Sequence, residues 1–230
     1  MGAVGSGAHK ITEGRVRMGE VISLAERRRS APPVEEPGTQ ARAIFFFDLS
    51  CPFTYLAVER VELLLPGVRW APALDARAHR DPASLQTLRT RAEQRARAMH
   101  LPLVWPPGWP RPARRALRAA QYAAECGRAG EFALAAARLS FCGGYDVDEV
   151  TVLCEAAAAA GISVGGVVRA AEDVTRDAAL RAVGSRLAQA GADRLPAVRV
   201  DHRLYCGEEH LGLASRALRH PASPTGVGGD

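Results

Sequence analysis

The sequence predicts an α/β fold in which a small mixed sheet is interrupted by a long helical insertion. A β-α-β pattern begins at residue 44, and a strand–turn–strand–helix pattern ends at residue 218. Between them, roughly residues 82–190 carry helical periodicity and no strand signal. The predicted order of elements is therefore β-α-β, a helical insertion, and β-β-α.

Composition is typical of a soluble globular protein. Hydrophobic residues make up 47% of the 230 residues and charged residues 24%. No apolar run reaches the roughly 20 residues that a membrane-spanning helix needs. The N-terminus also lacks an apolar segment followed by a small-residue cleavage site, which argues against a secretory signal. We therefore expect a cytoplasmic protein without a membrane partner.

The cysteine count and the charge restrict the kinds of site to expect. Five cysteines are an odd number and no CxxC occurs, so we expect reduced thiols and no metal site. The net charge is +5, Lys10 is the only lysine, and the arginines concentrate between Arg77 and Arg118. That stretch has no nucleic-acid motif and few interleaved aromatics, so we interpret it as a solvated face with no nucleic-acid partner.

The two ends of the chain differ from its middle. Residues 1–43 hold glycines, a short basic segment and the linker-like "SAPPVEEPGTQARA", which predict a disordered or weakly structured leader. Residues 219–230, rich in glycine and proline, predict a disordered tail. The remaining residues, 44–218, would form one domain that contains the insertion at about 82–190.

The first unit follows from three local patterns. "AIFFFDL" is a short apolar run with the length of a buried strand. Apolar residues then recur at helical spacing from Phe53 until Pro66-Gly67 ends the helix. "VRWAPAL" predicts a second strand, parallel to the first because a helix connects the two.

Proline and glycine divide the insertion into helices. Asp81 and Pro82 predict a capped helix start, and the five prolines around "LPLVWPPGWPRP" predict an extended break. "ARRALRAAQYAAECGRAG" and "EFALAAARLSFCGG" predict two further helices that end near glycine. Asp146 with Glu149 resembles a capping box before another helix that ends at Gly161. One or two more helices complete the insertion.

The C-terminal part returns to strands. Residues 197–201 and 203–206 predict an antiparallel hairpin around Asp201-His202, with His202 exposed in the turn. A closing helix is predicted over residues 208–218.

The most informative position is Cys51, where the first strand turns into the first helix. Cys51 at the N-cap and Pro52 at the first helical position would direct the N–H groups of Phe53 and Thr54 toward the sulfur. The helix dipole would then lower the thiol pKa below the usual value of about 8.5. The alternative is a cysteine that packs as a small apolar side chain.

Four segments carry a family resemblance, and they occur in the family's order: "FFFDLSCPFTYLA", "HLPLVWPPGWP", "GGYDVDEVTVL" and "RLPAVRVDHRLYCGEEHL". They resemble the DsbA family, whose fold is thioredoxin-like with an inserted α-helical domain. The nearest branch is that of 2-hydroxychromene-2-carboxylate isomerases and kappa-class glutathione transferases. The resemblance extends over residues 44–218.

The resemblance implies roles for several residues. Cys51 takes the place of the attacking cysteine of redox members, and of a serine that contacts glutathione sulfur in the isomerase branch. Pro196 would be a cis-proline facing it, and the backbone of Leu195 would pair with a peptide or with glutathione. Glu209 stands where an aspartate holds the γ-glutamyl amine, and Ser50 would lie at the same cofactor site. Glutathione or another low-molecular-weight thiol is the implied cofactor.

Departures from the family pattern are equally informative. Thr54 replaces the second cysteine of dithiol members, which excludes a CxxC cycle but not a single-thiol mechanism through a mixed disulfide. Cys206 and Cys142 replace aromatic residues, and either could act as a resolving thiol. Arg89 and Arg91 lie in the right region to bind a carboxylate, although solvated arginines are the simpler interpretation.

One neighbouring carboxylate leaves two interpretations open. Asp48 precedes the Cys51 junction, where it could tune the thiol or take its proton, or could close the turn. Tyr55, on the first turn of the helix, is expected to pack.

Three functions remain open at this point. The first is a thiol-dependent oxidoreductase in which Cys51 attacks a disulfide and Thr54 helps to hold the thiolate. The second is a glutathione-dependent isomerase or transferase, and the third is a non-catalytic binding scaffold. The substrate would be a small molecule or a disulfide, and the family resemblance also implies a possible homodimer.

Overall fold

A computed structural model of the chain describes residues 1–2, 42–74 and 82–220. Two units are distinguished, Met1–Thr39 and Gln40–Asp230, and the description below concerns the second. The predicted leader, apart from its ends, and the predicted tail from residue 221 lie outside the described residues. So does Asp81, the predicted cap of the second helix.

Four strands form one mixed sheet. They are β1 (Ala43–Phe47), β2 (Arg69–Pro72), β3 (Ala197–Val200) and β4 (Arg203–Cys206), in the order β2-β1-β3-β4. β1 is parallel to β2 and antiparallel to β3, and β3 is antiparallel to β4. The structure therefore confirms the predicted α/β fold, with its parallel β-α-β unit and its C-terminal hairpin.

The central strand β1 is buried along its whole length because both faces of the sheet are covered. Phe45 and Phe47 pack on one face, edge-on against Trp70 of β2, with ring centroids 4.9 and 5.9 Å away. Ile44 and Phe46 point to the other face, in a smaller cluster. This arrangement explains why the run "AIFFF" shows no alternation of apolar and polar residues.

Eight α-helices and one 3₁₀ turn are present in the described residues. The helix that follows β1 and the helix that ends the domain, α1 and α8, pack on the face of the sheet that carries Phe45 and Phe47. Val183 and Leu187 of an inserted helix cover the other face. The inserted helices are α2 to α7. The bounds are α1 (Pro52–Leu64), α2 (Pro82–Ala98), α3 (Arg114–Glu125), α4 (Ala129–Phe141), α5 (Val150–Ala160), α6 (Val164–Glu172), α7 (Arg176–Gln189), the 3₁₀ turn (Glu208–His210) and α8 (Leu211–Arg219).

The predicted capping box at Asp146 is wrong. Helix α5 begins at Val150 with Glu149 as its N-cap residue, and no side chain caps it. Asp146 instead closes a turn by accepting the N–H of Asp148 at 3.0 Å. Asp148 in turn accepts the N–H of Ala116 at 2.9 Å and so caps the start of α3. The Asp146 carboxylate also pairs with Arg111, so both of its partners lie outside α5. The predicted end at Gly161 is confirmed, since that residue has the left-handed φ of 68°.

A nearly buried charge cluster joins three helices of the insertion. Asp177, at the start of α7, accepts hydrogen bonds from Arg118 at 2.6 Å and Arg114 at 3.0 Å, both on α3. Arg118 also donates to the carbonyl of Ala171 on α6. The hydrogen bond from Arg118, above all, holds the pKa of Asp177 below its usual value.

Asp177→Asn should destabilise the domain by about 3 kcal/mol, because Arg118 then keeps a buried charge without its partner. Urea denaturation of both proteins measures this difference. Glu131→Gln is the matched control, since Glu131 pairs with Arg128 at an exposed site. It should cost no more than about 0.5 kcal/mol.

The same pair predicts a pH dependence. The folded-state pKa of Asp177 lies below the usual value of 3.8, so the stabilisation is complete above that value and is lost as the pH falls through the folded-state pKa. The stability difference between wild type and Asp177→Asn should be constant near neutral pH and shrink below about pH 4. A difference that does not change with pH would contradict this assignment.

Candidate active site

The turn between β1 and α1 is closed by Asp48. Its carboxylate, which is buried, accepts the N–H of Ser50 at 2.8 Å and the hydroxyl of Ser50 at 2.7 Å. The N–H of Cys51 donates to the Asp48 carbonyl at 3.1 Å. Of the two hypotheses for Asp48, these bonds support the one in which it closes the turn.

Cys51 is the N-cap residue of α1, and Pro52 is the first helical residue. The half-buried sulfur lies 3.4 Å from the carbonyl oxygen of Leu195, to which the thiol donates. Contrary to our expectation, the Cys51 side chain makes no capping hydrogen bond at this helix start. The N–H of Thr54 donates to the backbone carbonyl of Cys51, at 3.0 Å. The sulfur therefore feels the helix dipole without accepting a helical N–H.

Two effects act on the thiol in opposite directions. A hydrogen bond from S–H to the Leu195 carbonyl favours the protonated form, but a thiol is a weak donor. The helix N-terminus instead favours the thiolate, which is the reactive form of a cysteine.

Leu195 and Pro196 bring the start of β3 to the same place. Both residues are buried, and the peptide bond between them is cis. The carbonyl of Pro196 accepts the N–H of Gly207 at 2.7 Å, which ties this segment to the end of β4. The contact between Cys51 and Leu195 thus joins residues 144 positions apart.

Thr54 lies beneath the turn and is fully buried. Its hydroxyl oxygen accepts the N–H of Asp48 at 3.4 Å. In this position Thr54 links the first turn of α1 to the end of β1.

Glu209 lies in the 3₁₀ turn and is paired with Arg194, the residue before Leu195, at 2.6 Å. Burial alone would raise the pKa of Glu209, but its own backbone N–H and Arg194 lower it overall. Gly207 makes this pair possible: its φ is 88°, and a Cβ there would lie 2.4 Å from a Glu209 oxygen. The carboxylate that the family resemblance assigns to an amine is therefore already engaged by a guanidinium.

Glu208 is a residue that the sequence analysis missed. Its side chain is only 2% exposed and contacts Arg95 of α2 at 2.5 Å and Arg60 of α1 at 3.5 Å. It joins the 3₁₀ turn both to α1 and to the insertion. The only sequence signal was the excess of arginine near residue 95, which did not indicate where the compensating carboxylate lies.

The proline-rich segment of the insertion covers the turn that carries Cys51. The indole N–H of Trp109 donates to the carbonyl of Ser50 at 2.9 Å. Trp105 packs against Trp109 with centroids 4.3 Å apart, and the guanidinium of Arg89 lies 4.7 Å from the Trp105 ring centroid. Our interpretation of Arg89 as a simply solvated residue is therefore wrong, because the two indole rings offer it a cation–π contact.

Arg91 stays exposed, in line with the solvated interpretation, but it also has an aromatic neighbour. Its guanidinium lies 5.7 Å from the ring centroid of Phe53, two residues after Cys51. No carboxylate pairs with Arg91 within the described parts of the chain. A positive charge is therefore available near the start of α1.

All five cysteines are free thiols. Cys206 packs with Ile44 and Phe46 on the face of the sheet opposite Phe45, Phe47 and α1, and burial raises its thiol pKa. That placement argues against Cys206 as the resolving thiol.

Cys142 is exposed near the Tyr55 hydroxyl, whose pKa is raised to about 12, chiefly by burial. Tyr55 itself is buried and donates to the carbonyl of Pro102.

A cleft of about 300 Å³, part of it open to solvent, lies beside Ser50. Trp109 and Phe141 supply apolar walls, while Arg111 and Asp148 supply charge. Burial, above all, raises the pKa of Asp148.

Residues 42–74 and 82–220 contain no group of His, Cys, Asp and Glu side chains that could hold a metal ion. In the same residues no helix is long and apolar enough to cross a membrane.

Comparisons with known proteins agree with this architecture. None of the curated protein sequences is significantly similar to the chain. Among solved structures, that of a 2-hydroxychromene-2-carboxylate isomerase aligns with a TM-score of 0.63 and 16% identity, covering 77% of this chain and 94% of the other. A probable DsbA oxidoreductase from Streptomyces coelicolor aligns with a TM-score of 0.60 and 20% identity, covering 78% and 88%. At these identities the likeness shows the fold.

The family itself is shown by the sequence. Residues 43–219 match the family described as "DSBA-like thioredoxin domain". This match includes the sheet, the turn at Cys51, the whole insertion and the closing helix. The chain therefore belongs to the family of DsbA-like thioredoxin domains.

Proposed function

We propose that this protein is a thiol-dependent oxidoreductase that acts through a single cysteine, Cys51. One observation carries the proposal: the sulfur of Cys51 stands at the N-terminus of α1 and contacts the carbonyl that precedes Pro196, 3.4 Å away. A cysteine that served only for packing would not need a half-buried position at a helix start, because apolar surroundings alone would hold it.

The chemistry would be thiol–disulfide exchange. The Cys51 thiolate attacks one sulfur of a substrate disulfide, forms a mixed disulfide, and releases the other sulfur as a thiolate that takes up a proton. A second thiol then attacks the substrate sulfur of the mixed disulfide, forms a new disulfide with it, and releases the Cys51 thiolate. The exchange consumes one disulfide and produces one disulfide, so no further oxidant is needed.

The second thiol must come from outside the first turn of α1. Thr54 occupies the position of a CxxC partner, and its hydroxyl is bonded to the end of β1. Cys206 lies on the other face of the sheet. The exposed Cys142, or a low-molecular-weight thiol such as glutathione, would therefore release the product.

Leu195 supports this function through its backbone. Its carbonyl now accepts from the Cys51 thiol, and that interaction ends when the thiol loses its proton. The freed carbonyl could then accept an N–H from an extended substrate chain. Arg91, near Phe53, would favour anionic substrates at the same opening.

Incubation with a small disulfide such as glutathione disulfide should place the mixed-disulfide adduct on Cys51 at neutral pH. Peptide mapping by mass spectrometry locates it. Cys51→Ser should lose that adduct, whereas Cys126→Ser, which removes an exposed thiol elsewhere, should keep it. Modification of Cys126 and Cys142 with Cys51 left unreacted would contradict the proposal, and would favour a binding scaffold.

A second candidate function is a glutathione-dependent isomerase or transferase. The observation in its favour is that Glu209, a partly exposed carboxylate, forms an ion pair with Arg194, the residue before Leu195. For glutathione to bind there, its ammonium group would have to share the Glu209 carboxylate with Arg194 or displace Arg194 from it. The cleft beside Ser50 would then accept the second substrate, with its apolar part against Trp109.

Glu209→Gln should weaken the protection of Cys51 by glutathione roughly tenfold, because a charge-assisted hydrogen bond to the ammonium is lost. Protection is measured as slowed alkylation of Cys51 at increasing glutathione concentration. Alkylation without glutathione should stay unchanged, and Glu155→Gln, at an exposed site on α5, is the control. Equal protection in wild type and Glu209→Gln would exclude this contact, while the exchange reaction of Cys51 could still hold.

A further inference from the structure

The peptide between Ser50 and Cys51 accepts a hydrogen bond from a distant part of the chain. The N–H of Ser50 donates to the Asp48 carboxylate, the N–H of Cys51 donates to the Asp48 carbonyl, and the carbonyl of Cys51 accepts from Thr54. These three bonds lie within six residues of each other. The carbonyl of Ser50 differs, because it accepts from Trp109, 59 positions away in the insertion.

Trp109 is held firmly enough to act as a fixed donor. Its ring packs against Trp105, and the Arg89 guanidinium lies 4.7 and 5.6 Å from the two ring centroids. The N–H of Trp105 donates to Glu93 at 2.9 Å. The two indoles therefore form one tilted pair, but within the described residues only the N–H of Trp109 bonds to the turn that carries Cys51.

We propose that Trp109 is a positioning residue through which the helical insertion sets the reactivity of Cys51. The inference rests on the function proposed above. The N–H of Trp109 neutralises the negative end of the Ser50 carbonyl dipole, one residue before the sulfur, and fixes the orientation of the Ser50–Cys51 peptide. A thiolate at Cys51 is stabilised as a result. Because residues 101–112 link α2 to α3, this hydrogen bond couples the insertion to the thiol.

Trp109→Phe keeps an aromatic ring beside Trp105 and removes the N–H donor together with the pyrrole part of the indole. It should move the pH midpoint of Cys51 alkylation upward and reduce the rate near neutral pH by roughly three- to tenfold. At high pH, where the thiol is fully ionised, the rate should return to that of wild type. Trp105→Phe is the matched control, since it removes the same part of the neighbouring indole, including its N–H, and should leave the midpoint unchanged.

A merely structural role for Trp109 would give a different result. The rate would then fall by the same factor at every pH, or both tryptophan variants would behave alike, and either outcome overturns the inference. A wild-type Cys51 that shows no exchange at all would instead overturn the proposed function, so the two failures can be told apart.

A measurement on unsubstituted tryptophans covers the case in which Trp109→Phe fails to fold. The chain has three tryptophans, so ¹⁵N-labelled protein should show three indole N–H signals. The Trp109 signal should titrate with the same midpoint as Cys51 alkylation and lose that titration in Cys51→Ser, whereas the Trp105 signal should not move. A Trp109 signal that ignores the state of Cys51 would overturn the inference.

Discussion

The whole candidate site depends on the turn in which β1 becomes α1 at Cys51. A chain that leaves a buried strand and begins a helix within four residues must satisfy its backbone groups in very little space. Asp48 is the main acceptor in this turn. Its carboxylate accepts the N–H and the hydroxyl of Ser50, and its carbonyl accepts the N–H of Cys51. Pro52 suits the first helical position because it has no N–H to satisfy. The sulfur is thus fixed at the positive end of a helix dipole.

Two distant parts of the chain meet at this turn. The hairpin brings the Leu195 carbonyl to the sulfur, and the proline-rich segment brings the Trp109 indole to the Ser50 carbonyl. Farther from the turn, Glu208 ties the 3₁₀ turn to Arg60 of α1 and Arg95 of α2. Each contact involves a buried or half-buried polar group that would be costly to leave unpaired. The helical insertion is therefore more than a cover over the sheet, because two of these contacts begin in it. Changes in the insertion should reach the thiol through the hydrogen bond from Trp109.

The sequence predicted the elements that depend on neighbouring residues alone. The run "AIFFF" predicts a buried strand because it is apolar on both faces. Gly161 predicts a helix end because glycine readily adopts the positive φ that the structure shows there. The sequence did not predict pairs of charges or donors that are far apart along the chain, such as Arg95 with Glu208. Local patterns cannot show which of many arginines meets a given carboxylate. The capping box failed for a related reason, since the Asp146 carboxylate pairs with Arg111 and accepts the N–H of Asp148.

Most of the site residues named from the sequence lie around one turn: Ser50, Cys51, Thr54, Leu195 and Pro196. The roles assigned to these residues are hypotheses. Glu209 lies close to them through Arg194, but its charge is partly neutralised by that partner. This difference matters because a carboxylate that already has a guanidinium partner binds an ammonium less strongly than a free one. The Arg194–Glu209 pair therefore favours disulfide exchange as the proposed function, because exchange needs from the first turn of α1 and the hairpin only the Cys51 sulfur and a backbone carbonyl.

The central claim, that the helix start activates Cys51, is tested most directly by the alkylation kinetics of all five cysteines in the native protein between about pH 5 and 9. Isotope-coded iodoacetamide with peptide mapping gives a separate midpoint for each thiol. The account predicts a midpoint for Cys51 well below about 8.5, the ordinary thiol value, although Cys51 is less exposed than Cys126 and Cys142. A midpoint at or above those of the two exposed cysteines would contradict it, and would make Cys51 a packing residue.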